Sequence, residues 1–316
     1  MTKTLDLVAI GEPLIEFNQR GAGARDYLFG YGGDTSNCVI AASRLGARAA
    51  YISRVGDDGF GRALMALWAS EGVQTEAVTV QPGAATGLYF VSHGPRGHEF
   101  EYRRAGSAAS QMDSPDVPES LVAAAKWLHC SGISQAISTS ACDAVLQAVD
   151  LARQNGTLLS YDLNFRPRLW PAPRALALAR QTLQHCELFF PSVDEVELLT
   201  GLKDPTDIVK WSHDQGAKTV ILKLGARGCL VSTGRELIQL PAMAVQAVDA
   251  TGAGDCFAGA CLSWLAAGSD AVQAARHANV AAALSTRGFG AVDPLPRRAE
   301  VEACIKIQAA EPDHRS

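Results

Sequence analysis

The chain has 316 residues, 47% of them apolar and 19% charged, with a formal net charge of −5. That balance suits a globular protein with a large core, and it lacks the clustered basic surface that a nucleic-acid partner requires. The most apolar stretch, Cys256–Gly268, is too short to span a bilayer, which takes about 20 helical residues, and the N-terminal residues hold no apolar run suited to export. A cytoplasmic protein with no membrane partner is expected.

In chain order, Leu5–Ile10 is an apolar run ending at Gly11 and reads as a buried first strand. Thr35–Leu45 has helical periodicity and stops at Gly46, a residue that tolerates the left-handed position after a helix. Ala49–Val55 reads as a strand, and Asp58 is placed to cap a helix over Gly59–Ser70 that stops near Gly72. The alternation returns with a strand at Trp127–Cys130, a helix over Thr139–Gln154 and a strand at Thr157–Tyr161. Leu188–Phe190, a helix from Asp194 and a strand at Thr219–Lys223 continue it, and the alanine-rich stretch from Gly252 to Ser285 fits two packed helices.

This strand–helix grammar predicts an α/β fold with a mostly parallel, doubly wound sheet and helices on both faces. Two segments break it. Pro13–Tyr31 and Ala84–Ser107 carry strand-like pieces with no helix between them, and suggest a small antiparallel sheet covering one edge of a single domain over residues 1–316. The polar tail Glu311–Ser316 is expected to fray. Eight cysteines form no Cys-x-x-Cys pair and no zinc-like cluster with the histidines, so they read as free thiols serving as small apolar residues.

Asp249-Ala-Thr-Gly-Ala-Gly-Asp255 runs straight into a helical stretch. Unpaired amides of Gly252, Ala253 and Gly254 at a helix N-terminus bind anions, because the free donors and the helix dipole both favour negative charge. A carboxylate there repels phosphate, so Asp255 needs another task, and accepting a proton from an attacking hydroxyl is one. Read alone, the motif also fits a capping aspartate in a tight turn. Gly32-Gly33-Asp34-Thr35-Ser36-Asn37 likewise precedes a helix, letting a ligand approach the backbone while Asp34 and Asn37 offer groups for hydroxyls. It fits an ordinary capped turn as well.

Taken together, Gly-Gly-Asp-x-x-Asn37 continuing to Arg54-Val-Gly-Asp-Asp-Gly-Phe-Gly61 resembles the N-terminal signature of the ribokinase-like (PfkB) carbohydrate kinases. Asp249-Ala-Thr-Gly-Ala-Gly-Asp255 resembles their C-terminal signature, and the resemblance runs over essentially the whole chain. It implies a three-layer α/β/α sandwich with a small β-sheet lid, matching the two irregular segments, and an ATP- and Mg²⁺-dependent sugar kinase with Asp255 as base and residues 252–254 as the anion cradle. Lys223-Leu-Gly-Ala-Arg-Gly228 resembles the family's nucleotide-binding turn, so ATP is expected near Asn164, Arg166, Lys223, Gly225, Arg227, Gly228 and Asn279. Pro191-Ser-Val-Asp-Glu-Val-Glu197 resembles the Asn-x-x-Glu motif that organises Mg²⁺, with Ser192 in place of Asn and Glu195 kept as an indirect metal contact. Relatives also bind a monovalent cation, here K⁺ near Asp249 and Thr251, and a lid with exposed strand edges suggests a homo-oligomer.

Tyr161-Asp-Leu-Asn-Phe-Arg-Pro-Arg-Leu-Trp170 follows a strand, where open α/β sheets place ligands, and the lid segment ends in Tyr102-Arg103-Arg104. Arginines from two segments aimed at one cleft suit a carboxylate, although guanidinium grips phosphate equally well. With Leu128-His-Cys-Ser-Gly-Ile-Ser134, these segments resemble the 2-keto-3-deoxygluconate kinases of the family. That resemblance implies a sugar-acid site of Gly33, Asp34, Asn37, Tyr89, Tyr102, Arg104 and Arg166 beside Asp255, and gives Arg103 no role. Fructokinase is the nearest alternative, and a catalytically silent sugar-binding regulator is the alternative of another class. The chain has no Gly-x₄-Gly-Lys-[Ser/Thr] loop and no Gly-x-Gly-x-x-Gly after its first strand, which removes P-loop kinases and nicotinamide dehydrogenases.

Overall fold

A computed structural model of the chain describes residues 3–94 and 97–310; the tail expectation for Glu311–Ser316 lies outside them. The strands, in chain order, are β1 (Leu5–Ile10), β2 (Leu14–Gln19), β3 (Tyr27–Gly32), β4 (Ala49–Gly56), β5 (Gln74–Gln81), β6 (Leu88–Gly94), β7 (Gly97–Arg103), β8 (Ala125–Ser131), β9 (Leu158–Asp162), β10 (Cys186–Phe190), β11 (Thr219–Lys223), β12 (Cys229–Ser232) and β13 (Leu237–Leu240). Nine of them form one sheet in the order β13-β12-β11-β10-β9-β8-β1-β4-β5. All neighbours from β5 to β11 pair in parallel, and only β12 runs against its neighbours.

Side chains along β1 alternate between the sheet's two faces, as a period of two demands. Val8 and Ile10 join the apolar layer under the helices Thr139–Gln154 and Ala172–Leu183. Leu7 and Ala9 join the layer under Asp34–Arg44, Ala253–Ala266 and Ala271–Ser285. The result is the three-layer α/β/α arrangement. Asp58 caps the helix Gly59–Ser70 through a bond from the Gly61 amide at 2.7 Å, as its position in the sequence predicts. All eight cysteines are free, and seven are buried.

β1 lies between β8 and β4, so the chain winds one way toward β5 and the other way toward β11. The carboxyl ends of β1 and β8 therefore mark the switch point where open α/β sheets bind ligands. The helices Asp34–Arg44 and Ala253–Ala266 cross in close contact on one face of this point. A Cβ on Gly259 would sit 2.2 Å from the Cys38 carbonyl oxygen and 2.9 Å from the Ala41 Cβ, so only glycine permits that approach.

The two irregular segments form a separate four-stranded sheet in the order β3-β2-β6-β7. β2–β3 and β6–β7 are antiparallel, but the central β2–β6 pair is parallel, which corrects the expectation of a wholly antiparallel lid. The reason lies in the chain path: β2 and β6 are separated by the strands β4 and β5 and their helices, so no hairpin constrains their direction. One face of this sheet presents Leu14, Tyr89, Phe100 and Tyr102 toward the switch point. The opposite face carries an aromatic cluster in which Phe17 contacts Phe29, Phe90 and Phe60.

Candidate active site

Between the lid and the carboxyl ends of the central strands lies a cavity of about 660 Å³. Asp255 faces it from the first turn of the helix Ala253–Ala266. Gly252 caps that helix at φ 75°, and a Cβ there would lie 2.9 Å from the Ala291 Cβ, so the turn requires glycine for both its backbone angle and its packing. No side chain caps this helix end, but the Ala253 amide donates back to the Ala250 carbonyl at 3.2 Å, which corrects the expectation of a three-amide cradle and leaves Gly252 and Gly254, both lining the cavity, to offer amides to a ligand. Asp255 Oδ2 accepts a bond from Asn37 Nδ2 at 2.8 Å. Withdrawal from water is the main force pushing the Asp255 carboxyl up to about 8, the nearby Asp34 charge adds to it, and the Asn37 bond opposes it.

Lys223 ends β11 beneath this turn. Its ammonium donates to Asp162 Oδ2 at 2.6 Å, with Asp162 almost fully buried at the end of β9. Burial works against the Lys223 charge, but Asp162 and Glu195 outweigh it and hold the ammonium above its ordinary range. A Cβ at Gly254 would lie 3.5 Å from Lys223 Nζ, so one cation stands directly behind the glycine turn. Asn164, in the loop after β9, is the one non-glycine described residue with positive φ, at 37°. Its amide donates to Asp162 Oδ1 at 3.2 Å, an Asx-type turn that holds this strained backbone beside the cavity.

Arg166 Nη1 donates to Glu195 Oε1 at 3.1 Å, and Glu195 sits in the first turn of the helix Val193–Thr200, whose cap is the Ser192 hydroxyl. On the lid side, Arg104 pairs with Glu12, which is fully buried and also accepts from the Ser107 hydroxyl at 3.2 Å. The Arg104 guanidinium lies 5.2 Å from the Tyr102 ring centroid, and Tyr102 stacks on Tyr89 at 5.6 Å. Gly33 caps the helix Asp34–Arg44 at φ 103°, where a Cβ would collide with the Glu12 carbonyl oxygen at 2.3 Å. Asp34 accepts a bond from the Ser131 hydroxyl at the end of β8, so β8 and this helix meet at one point.

Buried polar atoms without partners are rare and mark places where a ligand belongs. Among the described residues, five buried side-chain atoms lack a hydrogen-bond partner, and four belong to residues lining the cavity: Asp34 Oδ1, Asn37 Oδ1, Arg104 Nε and Glu195 Oε2. The first three, two acceptors and one donor, suit a polyhydroxylated molecule. Glu195 Oε2, a carboxylate oxygen with no donor, suits a hydrated divalent cation.

The cavity gathers residues from both ends of the sequence. Gly33, Asp34, Asn37, Tyr89, Tyr102, Arg104, Asn164, Arg166, Glu195, Lys223, Gly225, Arg227, Gly252, Gly254 and Asp255 all line it, with Ala253 in the turn itself. Gly228 and Asn279 do not. Gly228, at φ 91°, packs against the 240–242 backbone, and Asn279 donates to the Leu240 and Pro241 carbonyls, tying its helix to the end of β13. Arg103 pairs with Glu101 on the exposed side. The sequence alone does not single out Glu12, Asp162 or Arg168. Asp162 stands in the quoted Tyr-Asp-Leu-Asn run at a strand end, a signal that could have flagged it. Arg168 lines the cavity with no carboxylate in ion-pair reach among the described residues and donates only to the Phe100 carbonyl of β7, at 3.4 Å.

A glycine-capped anion site beside a half-buried carboxylate, at the switch point of a lidded α/β sheet, defines a ribokinase-like phosphotransferase. The chain belongs to the pfkB family of carbohydrate kinases, whose family model matches residues 4–298. It is 36% identical to the 2-dehydro-3-deoxygluconokinase of Thermoproteus tenax over 94% of this chain and 93% of that one. It is 34% identical to fructokinase-1 of Zea mays over 95% and 97% respectively. A protein from E. coli assigned as a ribokinase II, solved in complex with ATP and Mg²⁺, superposes with a TM-score of 0.89 at 29% identity, covering 97% of this chain and all of that one. No described helix is long and apolar enough to cross a membrane.

Proposed function

We propose that this kinase transfers the γ-phosphoryl group of ATP to the 6-hydroxyl of 2-keto-3-deoxygluconate (2-dehydro-3-deoxygluconate), giving ADP and 2-keto-3-deoxy-6-phosphogluconate. The observation that carries the substrate class is the convergence of four guanidinium groups on one cavity that also holds Asp255: Arg227 in the nucleotide turn, and Arg104, Arg166 and Arg168 from the lid and the loop after β9. The relative named for this substrate agrees with it.

In this reading Asn37 and Asp34 receive the sugar hydroxyls, and the Tyr89–Tyr102 pair forms an apolar wall against the sugar chain. Arg166, with Arg104 and Arg168, orients the carboxylate so that the distal hydroxyl faces Asp255. The hydroxyl oxygen bonds to the γ-phosphorus as the bond to the β-γ bridging oxygen breaks, and its proton passes to Asp255. Amides of Gly252 and Gly254 meet the charge that develops on the transferring oxygens, and Lys223 supports them from behind. Lys223, Asn164, Gly225 and Arg227 hold the nucleotide. Glu195, whose Oε2 has no hydrogen-bond partner, would hold the Mg²⁺ that accompanies the nucleotide, and that ion would supply charge neutralisation for the phosphates. Both sheets act as one catalytic unit, lid and base facing the same substrate.

A coupled ADP-release assay on 2-keto-3-deoxygluconate, 2-keto-3-deoxygalactonate, fructose and ribose tests the assignment. A kcat/KM preference for the keto acids of at least ~100-fold, about 2.7 kcal/mol of transition-state binding, is expected. A preference for fructose refutes the sugar-acid reading and leaves the kinase standing. Fructose is the second reading because Arg104 and Arg166 each already face a carboxylate of the protein itself.

We further infer a cytoplasmic homo-oligomer joined through the aromatic outer face of the lid, where Tyr27 and Phe29 are exposed; light scattering tests it. K⁺ activation is proposed through backbone carbonyls near Thr251, since both Asp249 carboxylate oxygens already accept bonds. Rates in KCl against NaCl check this.

A further inference from the structure

Three buried polar side chains outside the reaction chemistry form a continuous chain of hydrogen bonds between the lid and the anion-binding turn. Glu16 and Asn18 of β2 and Asp249 are each 1–2% exposed. At the lid end, the Tyr89 hydroxyl donates to Glu16. Asn18 Nδ2 then donates both to Glu16 Oε1 at 3.4 Å and to Asp249 Oδ2 at 3.3 Å. Asp249 in turn accepts from the Thr251 amide at 2.9 Å, the Thr251 hydroxyl at 2.6 Å and the Gly290 amide at 3.0 Å. Thr251 is the residue before the Gly252 cap, and Gly290 precedes the Ala291 that packs against it.

The amide orientation of Asn18 is fixed by chemistry. Its Oδ1 faces His93 Nε2 at 2.9 Å, and turning it over would point that oxygen at two carboxylates. Only an amide can donate to two acids at once while accepting on its other side, so the position is demanding. Tyr89 shows its ring to the acceptor half of the cavity, whereas Thr251 and Gly252 line the phosphoryl half. Neither end moves without stretching bonds that are already long or carrying the other end along.

We propose that Asn18 is a positioning residue that couples occupancy of the acceptor site by sugar to the geometry of the anion-binding turn, so that each substrate strengthens the binding of the other. This rests on the assignment of a sugar acceptor and a nucleotide to the two halves of the cavity. Coupling of this kind is reciprocal and is measured as a ratio of affinities.

The test is calorimetric titration of Mg·AMP-PNP into the full chain with and without a saturating acceptor: 2-keto-3-deoxygluconate, or D-fructose if that is the sugar turned over. In the wild-type chain the nucleotide Kd is expected to fall about tenfold when the acceptor is present, within the usual range of coupling. In Asn18→Ala the ratio is expected within twofold of one, while each ligand alone binds within about threefold of its wild-type affinity. Should Asn18→Ala fail to fold, Asn18→Ser keeps a polar group at the buried position but has a single donor, so it cannot bond both acids at once; the same loss is expected. A ratio preserved in a folded variant, or absent from a wild-type chain that turns over sugar, overturns the proposal. A wild-type chain that phosphorylates neither sugar sinks the acceptor assignment and the coupling with it.

Discussion

Replacing Asp255 with asparagine changes activity and stability in opposite directions. Asn keeps the size and a bonding partner for Asn37 but cannot take a proton. Positioned general bases contribute roughly 10²–10⁴-fold, so kcat in Asp255→Asn is expected to fall by about 2.7–5.5 kcal/mol of barrier. The stability effect follows from the carboxyl's displacement from 3.8 to about 8. A folded-state value above the unfolded one means the native protein holds the proton more tightly. The folded state is therefore favoured in acid, and that advantage is lost as pH rises from about 4 to about 8. The full linkage value is on the order of 6 kcal/mol, but Asp255 is half-buried and the open cleft screens it, so about 1–2 kcal/mol is expected. Asp255→Asn should thus melt above the wild type at pH 8.5 and close to it at pH 5, read by differential scanning calorimetry at both pH values. In the wild type, kcat/KM should climb with unit slope on the acid side and level near pH 8. A variant retaining more than a tenth of wild-type kcat, or melting lower at pH 8.5, refutes the role and the burial reasoning respectively.

Three further outcomes are expected. Arg168→Gln should lower kcat/KM for the keto acid by about 10- to 100-fold with little change for fructose, since a charge-assisted bond is worth about 1.5–3 kcal/mol; equal losses on both sugars would move Arg168 to the nucleotide. Lys223→Met leaves Asp162 buried without its cation, which costs about 3–5 kcal/mol; urea titration should show Lys223→Met/Asp162→Asn recovering most of that stability but no activity. Gly33→Ala combines an unfavourable φ with a Cβ 2.3 Å from the Glu12 carbonyl oxygen, and should cost at least about 3 kcal/mol. A shift below about 1 kcal/mol in its urea midpoint would show that the Glu12–Pro13 backbone yields.

The parts of the fold that were legible in the sequence are those set by local rules. Glycines at 46 and 72 stop helices, Asp58 starts one, and β11 reads directly from its apolar run over Thr219–Lys223. The glycine turn before Asp255 is local too, which is why the anion site can be placed from seven consecutive residues. Properties that depend on distant partners are not local. The parallel β2–β6 pair joins segments about seventy residues apart, and no turn chemistry announces its direction. The acids opposite the arginines are equally hidden: Glu12 follows the first strand and meets Arg104 only once the lid is in place. The partners of Asn279 are hidden in the same way: on its alanine-rich helix, its amide donates to backbone carbonyls at the end of β13.

The crossing at Gly259 bears on how substrate preference can change over time. It fuses the helix that carries Asp255 to the helix that carries Asn37, although the two aspartate-bearing motifs lie more than two hundred positions apart in the chain. The phosphate-facing machinery is thus a rigid block, intolerant of even one added methyl group where its helices touch. Tyr102 stands on a different sheet and Arg104 just beyond its last strand, so these two can be exchanged without touching the helix crossing, whereas Tyr89 is tied to the anion-binding turn through Glu16 and Asn18. Diversification among sugars is accordingly expected to concentrate in the lid and in the loop bearing Arg166 and Arg168, while the fused helices stay nearly invariant.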